Sequence, residues 1–277
     1  MSSLASSCAS CCNGFASTTV ESVVDRHISL GDAGAMSTYG QYCPLALAAE
    51  ILGERWSLLI ISRVIDGCHR FNDIHRGVPK ISATLLSQRL RALEAAGLIA
   101  RKRLKTSPGS DYRLTDAGRA LEPIIMSLAA WGQNWARDMT RADLDPAFLL
   151  WSMHTRLNTE AMPPGRTVLY FEFTGAPQAC RRFWLVNTDG VVDMCLSDPG
   201  YEVHVQVFAN LALFVETWRG FRNLRDEIAR GAIRVEGPSH MVRRLPDWLM
   251  LSSLAHFERK RVGRERSLAM ASLRTTR

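Results

Sequence analysis

The sequence of 277 residues lacks the features that mark membrane and secreted proteins. It has no uninterrupted apolar run near the ~18 residues that are needed to cross a bilayer. Its N-terminal segment is rich in Ser, Ala and Cys, without the basic stretch and long apolar stretch of a secretory signal peptide. We therefore expect a cytoplasmic protein that does not span the membrane.

Signatures of catalysis are also missing from the sequence. No Ser stands in a G-x-S-x-G motif, and no Gly-rich loop of the phosphate-binding kind is present. An N-terminal CxxCC cluster, Cys8–Cys12, has no fourth ligand at a familiar spacing. The histidines of the second half also lack metal-ligand spacing: His154, His204 and His240. We therefore expect no catalytic residues, no metal and no cofactor, and the chain is not predicted to be an enzyme.

The most informative segment is Ile81–Leu98, with the sequence ISATLLSQRLRALEAAGL. Ser82 is a suitable N-cap, and Leu86, Leu90 and Leu93 recur at helical spacing. The opposite face presents hydroxyl, amide and guanidinium groups, which form hydrogen bonds with base edges and phosphates. The candidate base-reading residues are Thr84, Ser87, Gln88 and Arg91. By itself this pattern fits both an ordinary amphipathic helix and a DNA-recognition helix.

The segments on either side favour a recognition helix. Upstream, Leu45–Val64 predicts a long helix or a helix pair hinged at Gly53, and Arg70–His75 predicts a short helical turn. Downstream, Leu98–Leu104 and Tyr112–Thr115 predict two strands joined by a turn. Helix, turn, helix and then a β-hairpin is the order of a winged helix-turn-helix.

Basic residues are concentrated in the same half of the chain. Residues 36–140 hold 14 Lys/Arg and 9 Asp/Glu, a net charge of +5, whereas residues 141–257 hold 12 and 13, a net charge of −1. An excess of positive charge is what phosphate contacts require. The candidate phosphate contacts are Ser82, Arg89, Arg101, Lys102, Arg103 and Lys105. For the four on the hairpin, a solvated run of charges is the alternative interpretation.

Short motifs lie in order along residues 42–135, from Cys43-Pro44 and Leu52–Ile60 to the final Tyr112–Gly118. Between them stand Arg70–Ile74, Ile81-Ser82, Leu85–Leu90, Leu93-Glu94 and Gly97–Ile99. Together they resemble the HxlR-type winged helix-turn-helix transcriptional regulators. Ala83 replaces the proline that usually follows the Ile-Ser pair, which slightly weakens the preorganisation of the helix start. The resemblance implies a homodimer that binds double-stranded DNA.

The resemblance also implies a possible function for Cys43, because several HxlR-type regulators sense thiol oxidation at this place. Cys43 precedes Pro44 at a predicted helix start, where the helix dipole can lower the pKa of a thiol. Cys43 is therefore a redox candidate. An inert, half-buried thiol is the alternative.

A further helix is predicted over Leu121–Thr140, with an apolar stripe along one side. The stripe consists of Ile124, Ile125, Leu128, Trp131 and Trp135. In the resembling family the terminal helices of this domain pair two subunits, so we expect a dimer interface here. A two-fold dimer favours a pseudo-palindromic operator. Packing of the stripe against the second half of the same chain is the alternative.

The chain is too long for one winged helix, so a second domain is expected. The predicted organisation is a disordered extension (1–38), a winged helix-turn-helix and dimerisation domain (39–140), an α+β domain (146–257) and a basic, disordered tail (258–277). Translation starts at Met1 or at Met36. The tail carries 7 basic and 2 acidic residues and is expected to promote solubility and non-specific contact with DNA.

In the second domain, strands separated by turns precede and follow helices, which predicts an antiparallel sheet covered by helices. Its strand order, its Asp/Asn-Gly hairpins and the segment Gly231–Gly237 resemble a sterol-carrier-protein-like domain, which holds lipids in an apolar tunnel. The ligand-pocket candidates are Phe171, Phe173, Phe183, Trp184, Phe214 and Trp218. An ordinary aromatic core is the alternative interpretation of these residues.

The sequence thus predicts a dimeric, sequence-specific transcriptional regulator that responds to an apolar small molecule or to thiol oxidation. The competing hypothesis is a lipid-binding or carrier protein whose winged helix is a protein-interaction module. The two differ in salt dependence, because binding to phosphates weakens steeply as salt rises.

Overall fold

A computed structural model describes residues 38–104 and 109–260 of the chain. These residues belong to two compact units, and the division falls after Glu50, inside the first helix, α1 (Pro44–Leu52). Proline at the first helical position is preorganised for the helix. In the first unit, the Glu50 carboxylate accepts hydrogen bonds from the Thr38 hydroxyl at 2.8 Å and from the Tyr39 amide at 2.7 Å. These bonds hold the chain before α1 against the helix.

The second unit begins with a mostly helical half. Its elements are α2 (Ser57–Ile65), α3 (Phe71–Gly77), α4 (Ala83–Ala95), β1 (Ile99–Arg103), β2 (Ser110–Leu114), α5 (Asp116–Ala120) and α6 (Glu122–Trp135). The predicted helix pair with a hinge at Gly53 is confirmed, since α1 ends at Leu52 and α2 begins at Ser57. The core of this half takes fully buried side chains from three helices and from β1, among them Ile60, Ile61, Ile74, Leu86, Leu90, Leu93 and Ile99.

The second half of this unit is an α+β domain. Its elements are α7 (Pro146–His154), β3 (Arg166–Thr174), β4 (Arg182–Thr188), β5 (Val191–Cys195), β6 (Val205–Asn210), α8 (Leu211–Trp218), α9 (Leu224–Ala229), β7 (Ile233–Glu236) and α10 (Ser239–Trp248). The side chains of Asp145, Asn210 and Asn223 each accept hydrogen bonds from amides of the helix that follows, and so fix the starts of α7, α8 and α9.

The prediction of a wholly antiparallel sheet is wrong at one strand pair. The five strands stand in the order β5-β4-β3-β6-β7, and β6 runs parallel to β3. After the hairpins β3-β4 and β4-β5, residues 196–204 carry the chain past two strands to the other side of β3, so β6 enters in the direction of β3. His204 lies just before β6, and its Nδ1 accepts a hydrogen bond from the Val168 amide at 3.1 Å.

The predicted pocket aromatics divide between the two faces of the sheet. Phe171, Phe173, Phe183 and Phe214 are at most 1% exposed and pack against one another, with 5.0 Å between the ring centroids of Phe173 and Phe214. Trp218 belongs to the same core. Trp184, opposite Tyr170 across the β3-β4 pair, lies on the other face with Val168 and Val186. The structure therefore does not bring Trp184 together with the other five residues.

The two halves of the second unit contact each other at α3 and α7. Trp151 of α7 belongs to the core of the helical half. A Cβ atom at Gly77 would lie 2.8 Å from the Trp151 indole nitrogen, so α3 can approach α7 this closely because residue 77 is glycine. Lys80 donates a hydrogen bond to the Ala142 carbonyl at 3.1 Å. The halves are thus packed together, although their sequences predict separate domains.

Candidate nucleic-acid interface

Helix α4 has the start and the buried face that the sequence predicts. The Leu85 amide donates to the Ser82 hydroxyl at 3.2 Å, which confirms Ser82 as the N-cap. Leu86, Leu90 and Leu93 are at most 1% exposed and anchor the helix in the core. Because three leucines at helical spacing fix the rotation of the helix, they also determine which side chains face solvent.

The solvent face of α4 carries the predicted base-reading groups. Thr84, Gln88 and Arg91 are exposed, and Ser87 is half-buried. The Arg91 Nε donates to the Ser87 carbonyl, one turn earlier in α4, at 3.3 Å. This hydrogen bond orients the guanidinium group relative to the helix. Hydroxyl, amide and guanidinium groups on one exposed helical face can form hydrogen bonds with base edges in a major groove.

The connection from α3 to α4 is held by a histidine. His75 near the end of α3 donates through Nε2 to the Ile81 carbonyl at 2.9 Å, immediately before the N-cap. Lys80 between them has a φ of 72°, in the left-handed region that a non-glycine residue adopts in tight turns. This short connection fixes the orientation of α4 relative to α3. The sequence pattern located the turn but did not reveal the function of His75.

Arg89, a predicted phosphate contact, is engaged inside the domain. Its Nη2 lies 2.6 Å from a Glu54 carboxylate oxygen, and its Nε donates to the Arg55 carbonyl at 3.1 Å. The same side chain therefore ties α4 to the segment between α1 and α2. A phosphate contact by Arg89 remains a prediction, and it would compete with Glu54.

The remaining phosphate candidates lie on the two-stranded sheet. β1 and β2 pair antiparallel, with Arg103 opposite Ser110. Arg101, Lys102 and Arg103 are exposed, and the Arg101 Nε donates to the Ser110 hydroxyl at 2.8 Å. Lys105 lies outside the described residues. β1 thus displays consecutive cationic side chains beside α4.

A close approach between β1 and α5 fixes the position of this sheet. A Cβ atom at Gly118 would lie 2.1 Å from the Leu98 carbonyl oxygen, so any larger residue would push α5 away from β1. The Thr115 hydroxyl accepts from the Gly118 amide and donates to the Gly97 carbonyl at 2.5 Å. In the sequence Leu-Thr-Asp-Ala-Gly at residues 114–118, Thr115 is therefore the N-cap of α5 and Gly118 allows its close contact with Leu98. The sequence motif alone did not indicate these two structural functions.

Cys43, in the first unit, is an exposed free thiol immediately before α1. Hydrogen bonds from the backbone amides of Ala46 and Leu45 lower the pKa of this thiol below its ordinary value. The buried thiol of Cys68 behaves in the opposite way, since burial raises its pKa to about 12. Cys43 is thus an exposed thiol whose thiolate form is stabilised by two backbone amides.

Helix α6 has two different sides. Ile125 and Gln133 are buried, whereas four large apolar side chains are between 47% and 58% exposed: Ile124, Leu128, Trp131 and Trp135. In the described part of the chain these four are not covered. The predicted apolar stripe therefore faces away from the core, except for Ile125.

Residues 38–104 and 109–260 contain neither a candidate membrane-spanning helix nor a candidate metal site. No helix there is long and apolar enough to cross a membrane. No group of three or more His, Cys, Asp or Glu side chains there could hold a metal ion.

Comparison with known proteins identifies the family. Residues 51–140 match the family described as HxlR-like helix-turn-helix. The HTH-type transcriptional regulator YvaP of Bacillus subtilis (strain 168) is 35% identical over 111 residues, which cover 39% of this chain and 95% of YvaP. The HTH-type transcriptional regulator YodB of the same organism is 36% identical over 95 residues, which cover 34% of this chain and 85% of YodB.

Among solved structures, the redox regulator HypR in its reduced form is 35% identical, with a TM-score of 0.31 over 32% of this chain and 90% of HypR. YvaP and YodB are both described as HTH-type transcriptional regulators. The resemblance of residues 42–135 to HxlR-type regulators is confirmed, and the chain belongs to the HxlR-like helix-turn-helix family of transcriptional regulators.

Proposed function

We propose that the protein is a dimeric, sequence-specific DNA-binding regulator in which α4 enters the major groove. The observation that carries this proposal is the solvent face of α4, where Thr84, Gln88 and Arg91 stand exposed over three buried leucines. Membership of the HxlR-like family supports a DNA partner. The cytoplasm, where DNA is accessible in bacteria, is the compartment in which we place this activity.

The two-stranded sheet would act as the wing. Arg101, Lys102 and Arg103 would contact phosphates beside the groove, together with Lys105 and the Ser82 region at the start of α4. Helix N-termini suit this task because their amides point at the anion. Arg89 would contribute once its ion pair with Glu54 opened.

Dimerisation would use the exposed face of α6. Four large apolar side chains in adjacent turns form a surface that a second copy can cover with the same residues, as a two-fold interface requires. The pairing would also set the distance between two α4 helices, and so the spacing of operator half-sites.

Regulation would come from Cys43 or from the α+β domain. Oxidation of a thiol whose pKa is lowered, at the start of α1, would alter the entry to the DNA-binding half. The α+β domain would act as a sensory domain of sterol-carrier type. An effector must bind the active and inactive forms with different affinity to act at all.

Salt dependence tests the proposal. With operator fragments selected from genomic DNA, the wild-type affinity should fall by orders of magnitude between about 50 and 200 mM salt, because several phosphate contacts release counterions. Lys102→Ala and Arg103→Ala should each weaken binding to all sequences alike and reduce the salt slope by about one. Fluorescence anisotropy measures both quantities.

Arg243→Ala is the matched control, since Arg243 is an exposed residue of α10 in the other half of the unit. It should leave the affinity and the slope unchanged. An affinity that is independent of salt would reject DNA binding and favour a lipid carrier with a protein-interaction module. If Lys102→Ala, Arg103→Ala and the wild type had the same salt slope, the two-stranded sheet would not be a phosphate-binding wing.

A further inference from the structure

A cleft of about 680 Å³ opens beside the end of α6. Its walls are residues 138–139 after α6, residues 219–223 between α8 and α9, and Ala255 and residues 257–259 after α10, together with Glu216, Glu227 and Arg230. A cavity of this size accommodates a small organic molecule. The phenylalanine core of the sheet, where the sequence places the pocket, does not line this cleft.

Most charges around the cleft are neutralised by partners. Glu216 and Glu227 are 7% and 1% exposed, and Arg222 lies between them, 2.6 Å from the first carboxylate and 3.2 Å from the second. Arg230 adds a contact of 2.9 Å to Glu227. Two buried carboxylates are therefore matched by two guanidinium groups, which makes this wall rigid and nearly neutral.

On the opposite wall, too, the charged groups have partners of opposite charge. Arg259 contacts the Asp138 carboxylate and also donates to the carbonyls of Gln133 and Ala136 at the end of α6. These carbonyls carry the negative end of the helix dipole, so a cation is favoured there. Glu258 on the rim is exposed to solvent.

Arg219 is the exception in this cleft. In the described part of the chain no carboxylate lies within ion-pair distance of Arg219. Its Nε and Nη2 donate to the Gln133 amide oxygen at 3.1 and 2.7 Å, and among residues 38–104 and 109–260 no protein acceptor receives a hydrogen bond from the remaining nitrogen, Nη1. Burial and the neighbouring Arg259 lower the pKa of the Arg219 guanidinium, although an arginine stays charged in proteins. Among the described residues, Arg219 is therefore a half-buried positive charge in the cleft that no carboxylate contacts as an ion pair.

Apolar groups stand next to that charge. Met139, Phe221 and Phe257 are half-buried and line the cleft. The Arg219 guanidinium lies over the Phe221 ring, 4.7 Å from its centroid, which fixes the guanidinium plane. A fixed guanidinium with an open edge can accept a carboxylate, and the adjacent apolar side chains can cover a hydrocarbon body.

We propose that this cleft binds a small organic acid, whose carboxylate pairs with Arg219 and whose apolar body lies against Met139, Phe221 and Phe257. The sequence led us to expect an apolar small molecule in the phenylalanine core, whereas this ligand must carry a carboxylate and binds in a different place. A neutral molecule would leave the Arg219 charge without a partner.

The cleft is also connected to the DNA-binding half. Gln133 of α6 accepts from the Arg219 side chain and donates to the Arg219 carbonyl at 2.8 Å, while the Lys260 amide donates to the Asn134 carbonyl at 3.0 Å. A ligand that pulls on Arg219 would therefore act on the helix that carries the proposed dimer face. This step rests on the proposed function, whereas binding of the acid does not.

The test measures binding to the full-length protein in the absence of DNA, by isothermal titration and thermal shift. The probes are 2-naphthoate and decanoate. The controls are 2-naphthamide, which is the neutral counterpart of 2-naphthoate, and acetate, which is a carboxylate without a large apolar group. We expect at least one of the two larger acids to bind about 10- to 100-fold more tightly than 2-naphthamide and acetate. This comparison needs no variant and so does not depend on the folding of a mutant.

Variants then locate the site. Arg219→Gln should weaken binding of the acid about 10-fold or more, Arg219→Lys should retain part of it, and Arg243→Gln on α10 should change nothing. No binding of either acid, equal binding of acid and amide, or equal binding by Arg219→Gln and wild type would overturn the proposal. A chain that binds the acid but shows no salt-dependent DNA binding would keep this site and reject the proposed function.

Discussion

The outer face of α4 and the corner formed by residues 219–223 between α8 and α9 both carry arginines, but the surroundings of these charges differ. On α4, Arg91 contacts the carbonyl of its own helical turn and is otherwise directed to solvent. At the corner, Arg222 lies between two carboxylates that are almost fully buried. The first arrangement leaves hydrogen-bonding capacity for an external partner, whereas the second consumes it within the fold.

This difference separates binding from stability. An exposed arginine without a fixed counter-charge contributes little to folding, so its removal affects what the surface binds. A guanidinium that neutralises buried carboxylates cannot be removed without leaving charge in a low-dielectric environment. Substitutions at the two places should therefore change different measured quantities.

The largest expected effect is at the corner. Arg222→Ala removes the guanidinium that lies 2.6 Å from Glu216 and 3.2 Å from Glu227, so we expect a loss of about 3–5 kcal/mol in the free energy of unfolding. Urea denaturation followed by tryptophan fluorescence measures it.

Arg225→Ala is the matched control, three positions along the chain. The Arg225–Asp247 pair has side chains that are 61% and 52% exposed, and exposed pairs contribute about 1 kcal/mol or less. If both variants lost a similar amount of unfolding free energy, the buried ion pairs of Arg222 would contribute no more to stability than the exposed Arg225–Asp247 pair does.

A smaller effect, on a different quantity, is expected on α4. Arg91→Ala should reduce affinity for the preferred operator by about 1–3 kcal/mol and relax specificity at one base-pair position, with the unfolding free energy nearly unchanged. Binding to a library of single-base operator variants measures this. Arg182→Ala, which removes an exposed arginine of β4, serves as the control. A loss that is uniform over all operator variants would make Arg91 a phosphate contact.

How far the sequence predicts these two regions depends on the range of the contacts. Helix α4, its Ser82 cap and its buried leucines follow from spacing within one helix, and all are found. The Arg89–Glu54 pair and the Gln133–Arg219 bonds join residues 35 and 86 positions apart, and no local pattern signals them. The cleft is made of such distant segments, so it could not be located before the fold was known.

The sheet shows the same limit, and it also places two neighbouring pocket candidates on opposite faces. The parallel β3-β6 pair depends on where residues 196–204 lead the chain, which the alternation of strands and turns does not determine. Phe183 and Trp184, however, are neighbours on one strand, and neighbours point to opposite faces. That rule alone would have separated Trp184 from the other pocket candidates.

Cys43 in the first unit and Cys68 in the second unit should react with alkylating reagents at different rates. The pKa of exposed Cys43 is lowered by backbone amides, whereas that of buried Cys68 is raised to about 12. A lower pKa means that the reactive thiolate persists to lower pH, so alkylation of Cys43 should reach half its maximal rate at a lower pH than alkylation of an ordinary exposed thiol. Cys68 should stay unmodified in the folded protein throughout. Iodoacetamide labelling between pH 6 and 9, followed by peptide mass spectrometry, measures both rates. Equal rates would show that neither the helix start nor burial controls these thiols, and would remove Cys43 as a redox candidate.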